Sequence, residues 1–122
     1  MDYQCLLAGR SAIVTGGAGS VGRAVALLYA THGANVVILD EDETEVEKTV
    51  KDLREINQKC SGFAGNLRDP ESIAQLCDYA INALGTADIL VNAAGSYLPG
   101  EAETLEEDDF IAMLDKNVNS TI

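Results

Sequence analysis

TGGAGSVGRA, residues Thr15–Ala24, is the stretch that decides the fold, because four of its first eight residues are glycine. The residues before it, SAIVT at 11–15, form a short apolar run, and residues 20–32 after it have helical spacing that ends at Gly33. We therefore expect a tight turn from a buried strand near 11–15 into a helix near 20–32. Such a turn aims several backbone N–H groups and the positive end of the helix dipole at one point, which suits a pyrophosphate. Side chains would block that approach, which explains the glycines.

Three of the loop glycines, Gly17, Gly19 and Gly22, match the dinucleotide-binding pattern G-x-G-x-x-G. The pattern alone is weak in a chain with 11 glycines, so the flanking elements decide its meaning. The next apolar run, ANVVILD, ends in Asp40, about 20 residues after the last of these glycines, where an acidic side chain can hold the ribose hydroxyls of adenosine. The alternative is a loop without a ligand and an Asp that caps the next helix. The order of strand, loop, helix, strand and acid favours a dinucleotide.

Length and composition limit the possible functions. With 122 residues the chain holds one domain at most, and we expect residues 1–122 to form a partial dinucleotide-binding domain. A hydrophobic content of 47% with 23% charged residues is typical of a globular protein in water. The formal net charge of −12 argues against nucleic acid and anionic membranes as partners, because both are polyanions.

The cysteines and the apolar runs favour a reducing, cytoplasmic setting. Cys5, Cys60 and Cys77 are odd in number and include no C-x-x-C, so they predict neither a disulfide framework nor a zinc site. The N-terminal residues MDYQCLLAGR contain an acid and too few consecutive apolar residues for a signal peptide. The longest apolar run, AVALLYA, is far shorter than a membrane span.

Strand and helix patterns alternate along the whole chain. The elements expected after the first helix are a strand near 35–40, a helix near 43–57, a weak strand in SGFAGN, a helix over 69–85, a strand in DILVNAAG and a last helix from near Thr104. Strands separated by helices of this length form a parallel sheet with right-handed crossovers and helices on both faces. The fold class is therefore α/β, with a Rossmann-like doubly wound parallel sheet.

The helix patterns also predict which residues share a face and which begin each helix. One face of the first helix carries Val21, Val25 and Leu28, and one face of the second carries Val46, Val50 and Leu53. Thr44 with Glu47 forms a possible capping box for the second helix, and Asp69 with Pro70 begins the third. The residues expected to point inward on the third helix are Ile73, Leu76, Cys77, Ala80 and Leu84.

Ligands on such sheets lie at the carboxyl ends of the strands, and four segments of this chain meet there. The candidate cofactor-binding residues are Thr15, Gly16, Gly17, Gly19, Ser20, Val21, Gly22, Asp40, Asn66, Leu67, Asn92, Ala93, Ala94 and Gly95.

Several motifs in the same order resemble those of the short-chain dehydrogenases/reductases, and the resemblance covers almost the whole chain. TGGAGSVG resembles the family's T-G-x-x-x-G-x-G cofactor loop, and GNLRD resembles its segment against the adenine. NAAG resembles its N-N-A-G, and LDKNVNST resembles the helix with its catalytic-site Asn. The resemblance implies the sheet order 3-2-1-4, a nicotinamide cofactor, and hydride transfer to or from a small alcohol or ketone substrate.

Three positions depart from the family's motifs. Ser20 stands where the middle glycine of the loop is usual, Asn66 where an Asp is usual, and Ala93 where a second Asn is usual. The loop also fits the T-G-x-x-G-x-x-G spacing of the family's extended branch, which includes sugar-nucleotide epimerases, through Gly16, Gly19 and Gly22. LVNAAG favours the ordinary dehydrogenase branch.

Asn117 lies within an apolar stripe of the last predicted helix. A buried Asn must find hydrogen-bond partners or cost about 1 to 3 kcal/mol. The pattern leaves open whether Asn117 has a buried role, bonds neighbouring backbone, or faces outward on a slightly rotated helix. The resemblance implies a catalytic-site role, in which the matching Asn holds a water that links the catalytic Lys to solvent. The family's Tyr-x-x-x-Lys has no match, because Leu7, Gly33, Ala83 and Glu101 stand four residues beyond Tyr3, Tyr29, Tyr79 and Tyr97.

Two functions therefore stay open. The first is the N-terminal part of an NAD-dependent oxidoreductase, truncated and inactive alone; the second is a non-catalytic nucleotide-binding or interaction module. NAD(H) is expected rather than NADP(H), because Asp40 and the acidic residues after it repel a 2′-phosphate and no Arg or Lys stands between Asp40 and Lys48. Self-association is also expected, since the strand DILVNAAG would form an unpaired edge of the sheet.

Overall fold

A computed structural model of the chain describes residues 6–94. Its elements in chain order are β1 Ser11–Thr15, α1 Ser20–Thr31, β2 Asn35–Asp40, α2 Glu43–Ile56, β3 Ser61–Ala64, α3 Pro70–Leu84 and β4 Ile89–Asn92. The alternation predicted from the sequence is confirmed over this range. The expected helix from Thr104, together with Gly95 and Asn117, lies outside the described residues.

The four strands form one parallel sheet in the order β3-β2-β1-β4. The register pairs Thr15 at the end of β1 with Leu39 of β2 and with Asn92 of β4. At the end of β2, Asp40 pairs with Ala64 of β3. All four strands therefore end at the same edge of the sheet, and the predicted Rossmann-like order is confirmed.

The core lies on both faces of β2, the most deeply buried strand. Val36 and Ile38 point to one face and pack with residues of α1 and α2, while Val37 and Leu39 point to the other face and pack with residues of α3. All four of these side chains are buried. An uninterrupted apolar strand of this kind is typical of a parallel sheet covered by helices on both sides.

Helix α1 packs on the sheet through its small residues. Its buried positions are Gly22, Ala26 and Ala30, whereas Val21 is 68% exposed and Leu28 is 56% exposed. The apolar face expected from the sequence thus points away from the sheet, and only half-buried Val25 lies between the two faces. Small residues face inward because the start of the helix crosses the end of β1 too closely for side chains.

The start of helix α2 is capped by Asp42. Its Oδ1 accepts a hydrogen bond of 3.1 Å from the backbone N–H of Glu45, so the predicted capping box of Thr44 and Glu47 is wrong. Asp42 satisfies the orphan N–H at the third helical position and Thr44 lies inside the first turn. The predicted inner face is correct, since Val46 and Leu53 are buried and Val50 packs against them.

Helix α3 begins and ends where the sequence indicates. Asp69 is the N-cap residue, Pro70 is the first helical residue, and Gly85 follows the last turn with φ of 78°. Leu76 and Ala80 are buried as expected, but Ile73 and Cys77 are exposed. The helix is rotated so that Tyr79 faces the sheet instead, where its ring lies 5.0 Å from that of Phe63.

Candidate dinucleotide-binding site

The turn after β1 is built around Gly16, which has φ of +66°. Its N–H donates a 2.7 Å hydrogen bond to the carbonyl oxygen of Leu39, so the turn is tied to β2. A Cβ at this position would lie 2.6 Å from backbone atoms of Ala93 and Ala94. Both the left-handed backbone and the lack of space therefore require glycine here.

Two further glycines are required because other parts of the protein approach their backbone closely. A Cβ on Gly17 would overlap the side chain of Ile38, and a Cβ on Gly22 would overlap the carbonyl oxygen of Gly16. These contacts bring the first turn of α1 directly onto the end of β1. The close approach sets the direction of the helix N-terminus.

Gly19 differs from the other loop glycines, because the protein itself does not require it. Its φ of −78° and ψ of 171° are open to any residue, and a Cβ there would meet only the Gly16 oxygen at 3.4 Å. Gly19 is also exposed, at the start of α1. A glycine in this place keeps the space above the loop free, which fits a ligand that approaches the backbone.

The first turn of α1 supplies the donors for an anion. The helix hydrogen bonds begin with the Arg23 N–H, which donates a hydrogen bond of 2.8 Å to the Gly19 carbonyl. The N–H groups of Ser20, Val21 and Gly22 precede it, where helix geometry offers no carbonyl partner. Together with the helix dipole, these three N–H groups are suited to the oxygens of a pyrophosphate.

Asp40 joins the end of β2 to the glycine-rich loop. Its Oδ2 accepts a 3.0 Å hydrogen bond from the Ala18 N–H, and its Oδ1 accepts one of 2.7 Å from the Glu41 N–H. An ionised carboxylate has about four acceptor positions, so each oxygen keeps one for a ligand hydroxyl. Asp40 can therefore position the loop and accept ribose hydroxyls at the same time.

The segment after β3 reaches the same edge. The Gly65 N–H donates a 2.8 Å hydrogen bond to the Asp40 carbonyl, which continues the pairing beyond the strand. Leu67 is buried in the core beneath the site, while Asn66 is exposed. The Oδ1 of Asn66 accepts a 2.9 Å hydrogen bond from the Arg68 N–H and so stabilises the turn.

The segment after β4 lies against the glycine-rich loop at Gly16. The Ala93 N–H donates a hydrogen bond of 3.1 Å to the Thr15 carbonyl. The Thr15 hydroxyl donates one of 3.3 Å to the Val91 carbonyl. Thr15 thus joins β1 to β4 through its side chain. Ala94 packs against the core and Asn92 is exposed. Within residues 6–94, the structure brings all the candidate residues to one end of the sheet.

Sequence reasoning missed Arg68. Its Nε lies 3.7 Å from Oε1 of Glu41, so a cation of the loop after β3 stands beside the acidic stretch that follows β2. The signal was present in the sequence, because Arg68 directly follows Asn66 and Leu67, which were already assigned to the site. No Arg or Lys stands between Asp40 and Lys48, but the fold supplies a cation from another loop.

The remaining chemistry of the described residues is limited. In the part of the chain from 6 to 94, no group of three His, Cys, Asp or Glu side chains is arranged to hold a metal ion. None of the helices described there has both the length and the apolar character to cross a membrane. Cys60 is buried beneath α2, and burial raises the pKa of its thiol.

The fold is that of an α/β protein of the Rossmann type. The family model described as short chain dehydrogenase matches residues 10–122, so the chain belongs to the short-chain dehydrogenase family. Oxidoreductase UcpA of Escherichia coli K12 is 34% identical over 112 residues, which are 92% of this chain and 42% of that protein. The chain thus spans less than half the length of this relative.

Two solved structures show the same architecture. The 3-ketoacyl-(acyl-carrier-protein) reductase of Brucella melitensis, complexed with NADH, has a TM-score of 0.84 and 29% identity, over 94% of this chain and 47% of that one. The F189W actinorhodin polyketide ketoreductase with NADPH has a TM-score of 0.85 and 25% identity, over 92% of this chain and 43% of that one. Both nicotinamide cofactors therefore occur among the structural neighbours.

Proposed function

We propose that this chain is the NAD(H)-binding part of a short-chain dehydrogenase that acts on a small alcohol or ketone. The observation that carries the proposal is Gly19, a glycine that the backbone and the packing do not require, beside three N–H groups at the start of α1. Asp40 lies within hydrogen-bond distance of the same loop. These features fit the pyrophosphate and the adenosine ribose of a dinucleotide.

The roles of the residues follow from their positions. The N–H groups of Ser20, Val21 and Gly22 would bind the pyrophosphate, and the Asp40 carboxylate would accept the ribose hydroxyls. Backbone groups at Leu67 would contact the adenine side of the cofactor. Backbone groups at Ala94 would contact the cofactor from the segment after β4. The nicotinamide, when bound, supplies the hydride acceptor or donor. Asn117 is proposed to position a water in the complete catalytic site.

A charge argument supports NAD(H) over NADP(H). In the proposed binding mode a 2′-phosphate would lie beside Asp40, and Glu41, Asp42 and Glu43 follow this residue at the start of α2. A carboxylate that also accepts backbone hydrogen bonds cannot turn away from the phosphate without releasing the loop. The resulting repulsion disfavours the phosphorylated cofactor.

Calorimetric titration with NADH and NADPH tests this proposal. Gly19→Asp keeps a good helix N-cap but adds a side chain and a negative charge where the pyrophosphate would lie, so binding of NADH should fall at least tenfold. Ala24→Glu adds the same charge to an exposed position one turn further along α1 and serves as the control. Equal NADH binding by both variants, or tighter NADPH than NADH binding by the unaltered protein, would contradict the proposal.

The isolated chain is expected to show no dehydrogenase turnover. The family's chemistry needs a Tyr with a Lys four residues on as the proton donor, and none of the four tyrosines of this sequence has one. Bound cofactor alone cannot deliver that proton to a carbonyl oxygen. Steady NADH oxidation by pure protein with a panel of ketones and aldehydes, absent from a Gly19→Asp preparation, would show that this expectation is wrong.

The proposed setting is a reducing cytoplasm. Cys60 and Cys77, the cysteines within the described residues, are both free thiols, which fits a compartment that keeps cysteines reduced. We also propose self-association through β4, the outer strand of the sheet within residues 6–94. Nucleic acid and anionic membranes do not fit a formal net charge of −12.

A further inference from the structure

The adenosine end of the proposed site carries a charge pair between two loops. The Nε of Arg68 lies 3.7 Å from Oε1 of Glu41, and both side chains are partly exposed, at 32% and 46%. Glu41 directly follows Asp40 and donates its backbone N–H to the Asp40 carboxylate. The pair therefore borders the place where the proposed function puts the ribose 2′ position.

The position of Arg68 is set by its own loop. Its N–H donates to Asn66 Oδ1 at 2.9 Å, and the Asp69 N–H donates to the Asn66 carbonyl at 3.2 Å. Leu67 anchors the turn in the core, so the base of the Arg68 side chain has little freedom. Only the long side chain can move, and at present its guanidinium is directed to Glu41.

A free guanidinium at this place would change the choice of cofactor. Arginine binds phosphate through two parallel N–H donors, so it would attract a 2′-phosphate that Asp40 repels. Glu41 competes for the same donors and adds its own negative charge. The carboxylate of Glu41 thus disfavours a 2′-phosphate in two ways. It withholds the Arg68 guanidinium from the phosphate, and it repels the phosphate itself.

We propose that Glu41 holds Arg68 away from the nucleotide, so that the preference for NAD(H) depends on Glu41 as well as on Asp40, and that Arg68 is a latent ligand for a 2′-phosphate. This inference rests on the proposed function. It assigns a specificity role to a loop residue that follows β3, far from Asp40 in the sequence.

The test is a double-mutant cycle read by calorimetry with NADH, NADPH, 5′-AMP and adenosine 2′,5′-bisphosphate. Glu41→Gln should raise the affinity for NADPH relative to NADH by roughly three- to tenfold, the size expected when one unit charge beside an exposed phosphate is removed. Arg68→Gln in the Glu41→Gln background should abolish that gain. Arg68→Gln alone should change NADH affinity less than twofold.

Glu43→Gln is the matched control, because it removes the same charge from the same acidic stretch at the first residue of α2. If it shifts selectivity as much as Glu41→Gln does, or if the double variant keeps the gain, the inference is wrong while the proposed function stands. If neither NADH nor 5′-AMP binds any of these proteins, the proposed function and the inference fail together. The side chains of Glu41 and Arg68 are both partly exposed, so we expect the variants to fold. Melting curves followed by circular dichroism check this for each variant.

Discussion

Gly19 and Gly22 belong to the same loop but meet different physical requirements. A Cβ on Gly22 would overlap the backbone oxygen of Gly16, which cannot shift without opening the turn, whereas Gly19 has free space around it. We expect Gly22→Ser to lower the free energy of unfolding by about 2 kcal/mol or more, since close-packed sites tolerate added atoms poorly. Gly19→Ser should change it by less than about 0.5 kcal/mol, because serine is a good N-cap residue.

Urea denaturation of the two serine variants checks this prediction directly. The same substitution is made three residues apart, so the side-chain chemistry is controlled and only the local space differs. A loss of stability for Gly19→Ser as large as that for Gly22→Ser would mean that both glycines serve the backbone. The argument for a ligand at Gly19 would then lose its basis.

Cys60 offers a test of burial through its ionisation. Burial raises the pKa of the thiol, against smaller opposite effects of a hydrogen bond with the Val36 backbone and of the charge of Arg54. Iodoacetamide near pH 8 should therefore modify exposed Cys77 well before Cys60, because only the thiolate reacts. Peptide mapping by mass spectrometry separates the two sites. Equal modification rates in the folded protein would contradict the burial of Cys60.

The same pKa shift has a consequence for stability. The folded state favours the protonated thiol, and the unfolded chain ionises near the usual value of 9.0. Below that pH the thiol is protonated in both states, so its ionisation does not change the free energy of unfolding. Above that pH the free energy of unfolding falls, because the unfolded state loses its proton first. Cys60→Ala should weaken this alkaline decline, although it also leaves a small cavity.

At the residue level, the sequence predicts which residues stand at the strand ends better than it predicts the contacts between them. Spacing after the glycine loop places Asp40 correctly at the end of β2, because strand length and loop length are local properties. The bond from Ala18 to Asp40 and the pair of Arg68 with Glu41 join separate loops. Such contacts depend on how the loops are arranged in space, which a linear pattern does not contain.

At the level of elements, the start of α2 gives a direct comparison between two candidate caps. Asp42→Ala should lower the free energy of unfolding by about 1 kcal/mol, because it removes the acceptor for the Glu45 N–H. Thr44→Ala should cost less than about 0.5 kcal/mol, since Thr44 is an exposed residue inside the first turn. Denaturation monitored by far-UV circular dichroism measures both. A larger loss for Thr44→Ala would restore the capping box expected from the sequence.

Helix α1 shows why a hydrophobic stripe can indicate the wrong face. Val21 and Leu28 are large apolar residues but exposed, whereas the buried positions of the helix are Gly22, Ala26 and Ala30. A pattern search weights side-chain size, whereas a helix that crosses a strand end closely needs small side chains at the contact. The glycine loop itself was the signal for such close approach. Helix α2, which makes no such crossing, buries the stripe that the sequence predicts.

At the level of the whole molecule, the strand order was predictable and the environment of β4 was not. Four strands joined by three helices with short connections leave few arrangements of a parallel sheet, and the resemblance selects β3-β2-β1-β4 among them. The run Ile89, Leu90 and Val91 is typical of a strand buried on both faces, but Leu90 is 61% exposed. Burial of an outer strand depends on what lies beyond it, which the strand's own sequence does not specify.

The exposed face of β4 leads to the last prediction, that the protein associates with itself. Within residues 6–94, β4 pairs only with β1, and its Leu90 side chain is 61% exposed. A strand edge that stays unpaired offers backbone donors and acceptors to a second copy. Burying a leucine is worth roughly 1.5 to 3 kcal/mol, and strand pairing across a symmetry axis would bury it from both copies. The formal net charge of −12 opposes contact, but physiological salt screens it over about 8 to 10 Å.

Light scattering and sedimentation at several protein concentrations measure this association. Leu90→Lys should shift the equilibrium towards monomer by at least tenfold, because it places a charge in the contact and removes the apolar side chain. Leu28→Lys changes another leucine, 56% exposed on the outer face of α1, and should leave the equilibrium within about twofold. Lower salt should favour the monomer, as repulsion between the acidic copies grows. A monomer that persists at high micromolar concentration in physiological salt would show that β4 does not pair with a second copy. Equal effects of the two lysine variants would place the contact elsewhere.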